Sequence, residues 1–150
     1  MKHKSFEDMN CSVAQSMEVL GERWSLLIIR DCFAGLRRFG QFQKKLGIAR
    51  NILTARLTRL VEEGILLKCP IADGAQQEYV LTQKGIDLYP VLMALMQWGD
   101  KHRPNPKGAR LYFVERATGK PVKGLRVISD DGRELGPEDV QQVAGPGLID

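Results

Sequence analysis

The sequence predicts a mainly α-helical fold with a small β wing, a winged helix–turn–helix, followed by a small β-rich C-terminal appendage. Three observations predict it. Between residues 32 and 61 the chain carries seven basic residues (Arg37, Arg38, Lys44, Lys45, Arg50, Arg56, Arg59) and no Asp or Glu, on apolar spacing that suits two short helices split by a glycine turn. Two short β-like runs follow, 66–69 and 77–81, joined by a turn over 71–76 that contains Asp73-Gly74. The stretch from Thr82 to about residue 100 is then apolar nearly all round, more than one domain can bury alone.

Residues 1–10 are polar and are expected to be loose. Ser12-Val13-Ala14-Gln15 has the form of a capping box and opens a first helix with Val13, Met17 and Leu20 on one stripe, stopped by Gly21. A second helix is expected over 22–34. Its Trp24, Leu27 and Ile28 share a face that Leu26, Ile29 and Phe33 widen, the pattern of a helix in the middle of a domain, and Gly35 is placed to end it. A third helix over 41–46 turns Phe42 and Leu46 inward and Gln43, Lys44 and Lys45 outward. Gly47 ends it, Ile48 and Ala49 make the turn, and a fourth helix runs to about residue 63 on Leu53, Leu57 and Leu60, at i, i+4 and i+7. Gly64 closes that helix. After the hairpin, Thr82 is a good N-cap for a fifth helix, within which Pro90 predicts a kink or a restart. Residues 103–108 have linker composition. Beyond them, β-like runs over 109–114 and 125–128 alternate with turns at Thr118-Gly119 and Asp130-Asp131-Gly132. The expected division is therefore a winged helix–turn–helix and dimerisation domain over 1–103 and a β-rich extension over 104–150.

At 43% hydrophobic residues the 150-residue chain has enough apolar content for a core, which excludes global disorder. The net charge of +4 is unevenly placed: residues 1–103 hold 15 Lys and Arg against 11 Asp and Glu, residues 104–150 hold 7 of each. Three cysteines, Cys11, Cys32 and Cys69, are an odd and unpaired set that fits a reducing compartment better than a disulfide framework. No apolar run reaches the ~18 residues of a membrane span and no signal-peptide core is visible, so a soluble cytoplasmic protein without membrane contact is expected. The two histidines, His3 and His102, flank the helical region; no metal-ligand spacing, phosphate-cradling glycine loop or nucleophile elbow is present, and the Asp130-Asp131 pair reads as a turn. No enzyme activity, metal or cofactor is expected.

A local excess of positive charge on a compact helical unit is the electrostatic footprint of a polyanion, and the helix–turn–helix spacing makes that polyanion double-stranded DNA. With the three leucines of the fourth helix inward, Arg50, Asn51 and Thr54 lie in its first turns and are expected at base edges, with Thr58 further along the same face. Arg37, Arg38, Lys44 and Arg59 suit phosphates, Gln43 lies beside them on the third helix, and Lys68 at the root of the wing is a further contact. Arg56 falls nearer the core side, where it snorkels or pairs with an acid.

Cys11-Ser12-Val13, Gly21-Glu22-Arg23-Trp24, Arg38-Phe39-Gly40-Gln41-Phe42, Leu53-Thr54-Ala55-Arg56-Leu57, Glu62-Glu63-Gly64, Tyr79-Val80-Leu81-Thr82 and Trp98-Gly99 occur in the order and spacing of the HxlR-type (MarR-like) bacterial transcriptional regulators. Over roughly residues 8–102 the chain resembles that family. The resemblance implies a homodimer built by the N-terminal helix and the 82–100 helix. It also implies a possible redox or electrophile sensor at Cys11, which stands just before a helix N-terminus where a thiol is acidified; the other reading of Cys11 is a small apolar residue at the dimer seam. Two positions depart from the family: Ala49 replaces a usual Ser before the fourth helix, losing a cap worth ~1 kcal/mol, and Ser12 replaces a Pro. The tail resembles a zinc-ribbon-like pair of turns followed by Gly-Pro-Gly, but after residue 102 it has neither Cys nor His, so it is expected to be a cysteine-free, metal-free relic.

The function expected from these readings is a homodimeric, sequence-specific DNA-binding transcriptional regulator, a repressor on an inverted-repeat operator. The alternative is a winged-helix protein–protein interaction module without DNA binding. A thiol enzyme using Cys11 ranks last, having only His3 near it in sequence. Trp24, Trp98 and the methionines Met17, Met93 and Met96 read as core or interface rather than as an effector pocket, and no small-molecule effector is indicated.

Overall fold

A computed structural model describes residues 3–71, 74 and 76–148. It divides into two compact units, Met1–Tyr89 and Pro90–Asp150. The first contains α1 (Ser12–Leu20), α2 (Ser25–Phe33), α3 (Phe39–Leu46), α4 (Arg50–Glu62), β1 (Leu66–Pro70), β2 (Gln77–Leu81) and α5 (Gln83–Ile86). Its core is built from α2, α3, α4 and the hairpin: Ile28, Ile29, Phe42, Leu53, Leu57, Leu60, Ile65 and Leu66 are fully buried and Ile48 nearly so. The strands pair antiparallel in the register Leu66↔Leu81, Lys68↔Tyr79 and Pro70↔Gln77, as the hairpin reading predicts. The expected Asp73-Gly74 turn falls largely outside the described residues.

The N-terminus corrects the sequence reading. Cys11, extended at φ −150°, is the N-cap of α1 and supplies no side-chain cap, while Ser12 is already helical. The expected capping box does not form, because Gln15 has other partners. Its amide donates to the carbonyls of Phe6 (3.1 Å), Glu7 (3.0 Å) and Met9 (2.8 Å). Glu18 accepts from the Phe6 N–H (2.7 Å) and the Ser5 hydroxyl (3.2 Å). Residues 5–9, within the stretch expected to be loose, are therefore an arm strapped along α1. The second helix is shorter than expected, since residues 22–24 form a turn before Ser25.

At the centre of the unit, Gly47 takes the left-handed conformation (φ 63°, ψ 26°) that ends α3 and lets the chain reverse into α4. α3 itself starts two residues earlier than its apolar spacing suggests. The Gln41 side-chain oxygen reaches back to accept from the N–H groups of Arg37 (2.9 Å) and Arg38 (3.0 Å), satisfying donors at the helix start. The wing is tied to the same segment by the Tyr79 N–H, which donates to the Arg37 carbonyl at 2.7 Å.

Thr82 caps α5 as expected, accepting from the Gly85 N–H at 3.2 Å. Its hydroxyl also reaches the Gly64 carbonyl beyond the end of α4, and the Lys84 ammonium donates to the Glu63 carbonyl. Gly85 is required by packing: a Cβ there would stand 2.5 Å from the Ile65 carbonyl oxygen and 2.9 Å from the Leu81 side chain. The single helix expected over 82–100 is two, α5 and α6 (Tyr89–His102). Of the two effects predicted for Pro90, restart is the one observed: it is the second residue of α6, where its missing N–H has no intrahelical acceptor to lose.

In the second unit, the Gln97 side chain of α6 brackets Leu125, accepting from its N–H (2.7 Å) and donating to its carbonyl (3.1 Å). Arg110 bonds Asp100 (3.1 Å) and the Arg103 carbonyl (2.7 Å). The boundary expected after residue 103 lies inside this unit. The β-rich appendage is not found: the runs 109–114 and 125–128 make no strand. Each closes on its own turn through an isolated bridge, Val114↔Pro121 and Ile128↔Glu134, with no sheet joining them. The two expected turns do form, with Gly119 at φ 69° and Gly132 at φ 88°. In the second, the Ser129 hydroxyl and the Arg133 guanidinium beside Asp131 hold its carboxyl below the usual range. A zinc-ribbon relation is thus not supported. Among the described residues no group of His, Cys, Asp and Glu could hold a metal, and no helix is long and apolar enough to cross a membrane.

Candidate nucleic-acid interface

The helix–turn–helix is α3, a turn over 47–49 and α4. Phe42 and Ile48 fill its inner angle, and Leu53, Leu57 and Leu60 seat α4 on the core. That anchoring turns Arg50, Asn51, Thr54, Ala55 and Thr58 outward, all exposed. Ala49 is the N-cap of α4 and gives no side-chain cap, so the N–H groups of the first turn remain available to an anion. The Thr54 hydroxyl donates back to the Arg50 carbonyl at 2.9 Å, leaving its oxygen as the group it presents. The Arg50 guanidinium lies over the Phe39 ring, 5.1 Å from its centroid, which restrains a long side chain at the entrance to α4.

The structure sorts the basic residues into two sets. Arg38 leans toward the wing, 3.8 Å from Glu78 and within 3.4 Å of Gln76. Arg56 pairs with Glu22 at 3.2 Å, as its position near the core side suggests, and Arg59 pairs with Glu63 at 2.8 Å. Arg37, Lys44, Lys45, Arg50 and Lys68 are exposed and make no ion pair among the described residues. Gln43 is half-buried rather than turned fully outward. Lys68 lies 6.0 Å from the Tyr79 ring across the wing.

Sequence reasoning missed the Phe39 platform, the Gln41 clasp and the acids that neutralise Arg38 and Arg59. The Arg59–Glu63 pair has a local signal, opposite charges at i and i+4. Glu78 is forty residues from Arg38 and has none.

The cysteines differ sharply. Cys11 is exposed. Burial and the neighbouring Asp31 push the Cys32 thiol up to about 12, which makes it inert as a nucleophile. Asp31 is itself buried. One oxygen bonds Arg30 (2.9 Å) and the other has no partner among the described residues. Exposed apolar side chains gather on the two helices expected to dimerise: Val13 and Met17 on α1, and Val91, Leu95 and Trp98 on α6.

Comparison with known proteins agrees with this architecture. The family model described as HxlR-like helix-turn-helix matches residues 19–107. The chain is 39% identical over 138 residues to the uncharacterized HTH-type transcriptional regulator Rv3095 of Mycobacterium tuberculosis, covering 91% of this chain and 87% of that one. Among solved structures, PA1607, titled a candidate transcription factor, superimposes with a TM-score of 0.88 at 45% identity, covering 95% of this chain and all of that one. The redox regulator HypR in its reduced form aligns with a TM-score of 0.59 at 26% identity, over 62% of this chain and 94% of its own. The wing, the outward face of α4 and these similarities lead to one assignment: the chain belongs to the HxlR-like helix-turn-helix family of transcriptional regulators.

Proposed function

We propose that this regulator is a homodimer that binds an inverted-repeat operator with sequence specificity and represses transcription by occluding a promoter. The observation that carries the reading is the exposed start of α4, where Arg50, Asn51 and Thr54 project from a helix seated by three fully buried leucines. In this reading those three side chains meet base edges in the major groove, and Thr58 continues the face. Arg37 and Lys44 contact phosphates, with Lys45 beside them. Arg38 and Arg59 join only by exchanging their carboxylate partners for phosphate, and Lys68 touches the backbone beside the wing. The exposed apolar positions on α1 and α6 are the dimer surfaces. Two-fold symmetry then places the half-sites about one helical turn (~10 bp), or a multiple of it, apart.

The test is a mobility-shift series on selected operator fragments. Arg50→Ala and Asn51→Ala are expected to relax preference at particular base pairs by ~1–3 kcal/mol, and Lys44→Ala to weaken all duplexes alike. Equal affinity for matched and scrambled duplexes at every salt concentration defeats the proposal. Partner capture that ignores salt, with no duplex binding, favours a protein–protein module instead.

A redox response through Cys11 is a second reading. Its support is the exposure of Cys11 at the start of α1 and the similarity to HypR, whose structures are titled as reduced and oxidized forms. Identical operator affinity for reduced, oxidised and Cys11→Ser protein ends it.

A further inference from the structure

The tail over residues 104–148 has a defined course but no core. It makes two closed turns and a short helical turn at Pro137–Asp139, yet none of these residues is buried. α6 holds it through Gln97 on Leu125 and Asp100 on Arg110. Fixing a backbone costs entropy at every residue, and buried apolar surface is what normally offsets that cost. We infer that the tail is a self-docking surface: it packs against the tail of a second copy of this chain and extends the dimer beyond α1 and α6. The inference rests on the homodimer reading. Charge and area carry it.

The tail is neutral as a whole because its charges are sorted into two poles. Residues 104–126 hold six Lys and Arg against one Glu, and residues 130–148 hold one Arg against five Asp and Glu. Arg110, Arg126 and Arg133 have acidic partners, with Arg126 and Glu134 joining the two halves at 3.5 Å. Arg116, Lys120 and Lys123 at one pole, and Asp130 and Glu138 at the other, are exposed and make no ion pair among the described residues. In a two-fold interface one patch faces itself, so a patch with separate poles meets its opposite twice. A polymer of one sign, DNA included, suits only half of it.

The area argument points the same way. Taking roughly 100 Å² of apolar surface per exposed aliphatic side chain and twice that for an aromatic, Val13, Met17, Val91, Leu95 and Trp98 offer about 300 Å². A stable interface buries about 800 Å² per partner, more than half of it apolar. The helices alone fall short. Leu111, Tyr112, Val114, Val127, Val140 and Val143 of the tail, with Tyr112 85% and Val143 81% exposed, add about 500 Å² and bring the total above what is needed.

The test reverses each pole in the full chain. One variant carries Arg116→Glu, Lys120→Glu and Lys123→Glu, the other Asp130→Lys and Glu138→Lys. Each alone is expected to raise the dimer Kd at least about tenfold in sedimentation equilibrium, because like poles then meet. An equimolar mixture pairs an acidic tail with a basic one, so it is expected to regain affinity to within about threefold and to give heterodimer well above the statistical half in native mass spectrometry. Dimers unaffected by both reversals, or a mixture that pairs at random, overturn the inference and leave the operator reading standing. Loss of operator affinity in the acidic variant with dimerisation unchanged marks the tail as a DNA contact and overturns it too. A wild-type chain that stays monomeric ends this inference and the homodimer reading together. Selective heterodimers from protein that binds no duplex support the tail contact and sink the operator reading.

Discussion

Replacing Lys44 by Ala tests how many charges this protein offers to DNA. Eight cations lie on the helix–turn–helix and wing: the seven between residues 32 and 61, and Lys68. Three of them, Arg38, Arg56 and Arg59, are neutralised by Glu78, Glu22 and Glu63. Five remain per protomer, and with Arg50 assigned to base edges four are left for phosphates, eight in the proposed dimer. Each phosphate neutralised on duplex DNA contributes about −0.9 to the slope of log Kobs against log salt, so eight contacts give a slope of ~−7, and adding the three paired arginines of each protomer would give ~−13. A slope of ~−7 corresponds to roughly a 10⁴-fold loss of affinity between 50 and 200 mM salt. Lys44→Ala removes two contacts from the dimer and should flatten the slope by about 1.8 without changing base preference. Fluorescence anisotropy over a salt series on a fixed operator measures both. A slope near −13 would show that the ion pairs open at no cost. A slope shallower than about −3, or one untouched by Lys44→Ala, would refute the assignment of this face to phosphates.

Leu57→Ala removes a fully buried side chain beneath α4 and should lower unfolding stability by ~2–5 kcal/mol in urea denaturation, with operator affinity falling in parallel. Gly85→Ala forces a methyl against the Ile65 carbonyl and Leu81 and should destabilise by ~1–3 kcal/mol, while Gly40→Ala, which meets nothing within 4 Å on helix α3, should be neutral or stabilising by up to ~1 kcal/mol in the same assay. In native protein near pH 8.5, a thiol reagent should label Cys11 rapidly and spare Cys32 until the chain is unfolded, as mass spectrometry of labelled peptides can show. The Cys32 pKa, 9.0 for an ordinary thiol and about 12 here, also sets a direction: the folded state holds this proton more tightly, so its contribution to stability is complete below pH 9 and declines as pH rises from 9 toward 12. Cys32→Ala should remove that decline from a pH–stability profile.

The sequence made some of this fold legible because local chemistry and global packing agree there. Leu53, Leu57 and Leu60 announce a seated helix by spacing alone, and all three are fully buried. The hairpin was readable to within one residue at its first strand, and the Thr82 cap at its own position. Gln15 shows where legibility fails. A Ser followed three residues later by Gln suits a capping box, yet the same amide reaches three arm carbonyls, and local spacing does not distinguish the two. The C-terminal runs mislead for a related reason: β-like composition is a strand only if a partner strand arrives, and here each run meets only its own turn. At the interface the sequence names the cations but not which are already spent, because Glu78 reaches Arg38 only through the fold.

The bonds at the end of α4 bear on how the protein can adjust to an operator. Thr82 grips Gly64, Lys84 grips Glu63, and Tyr79 is hooked to the chain just before α3. α4 and wing are thus bolted into one lever, and in the proposed complex the angle between a major-groove and an adjacent backbone contact is set within each protomer. In the proposed dimer, a signal that swings whole levers apart or together would alter the phasing of half-sites and leave the footprint on each half intact.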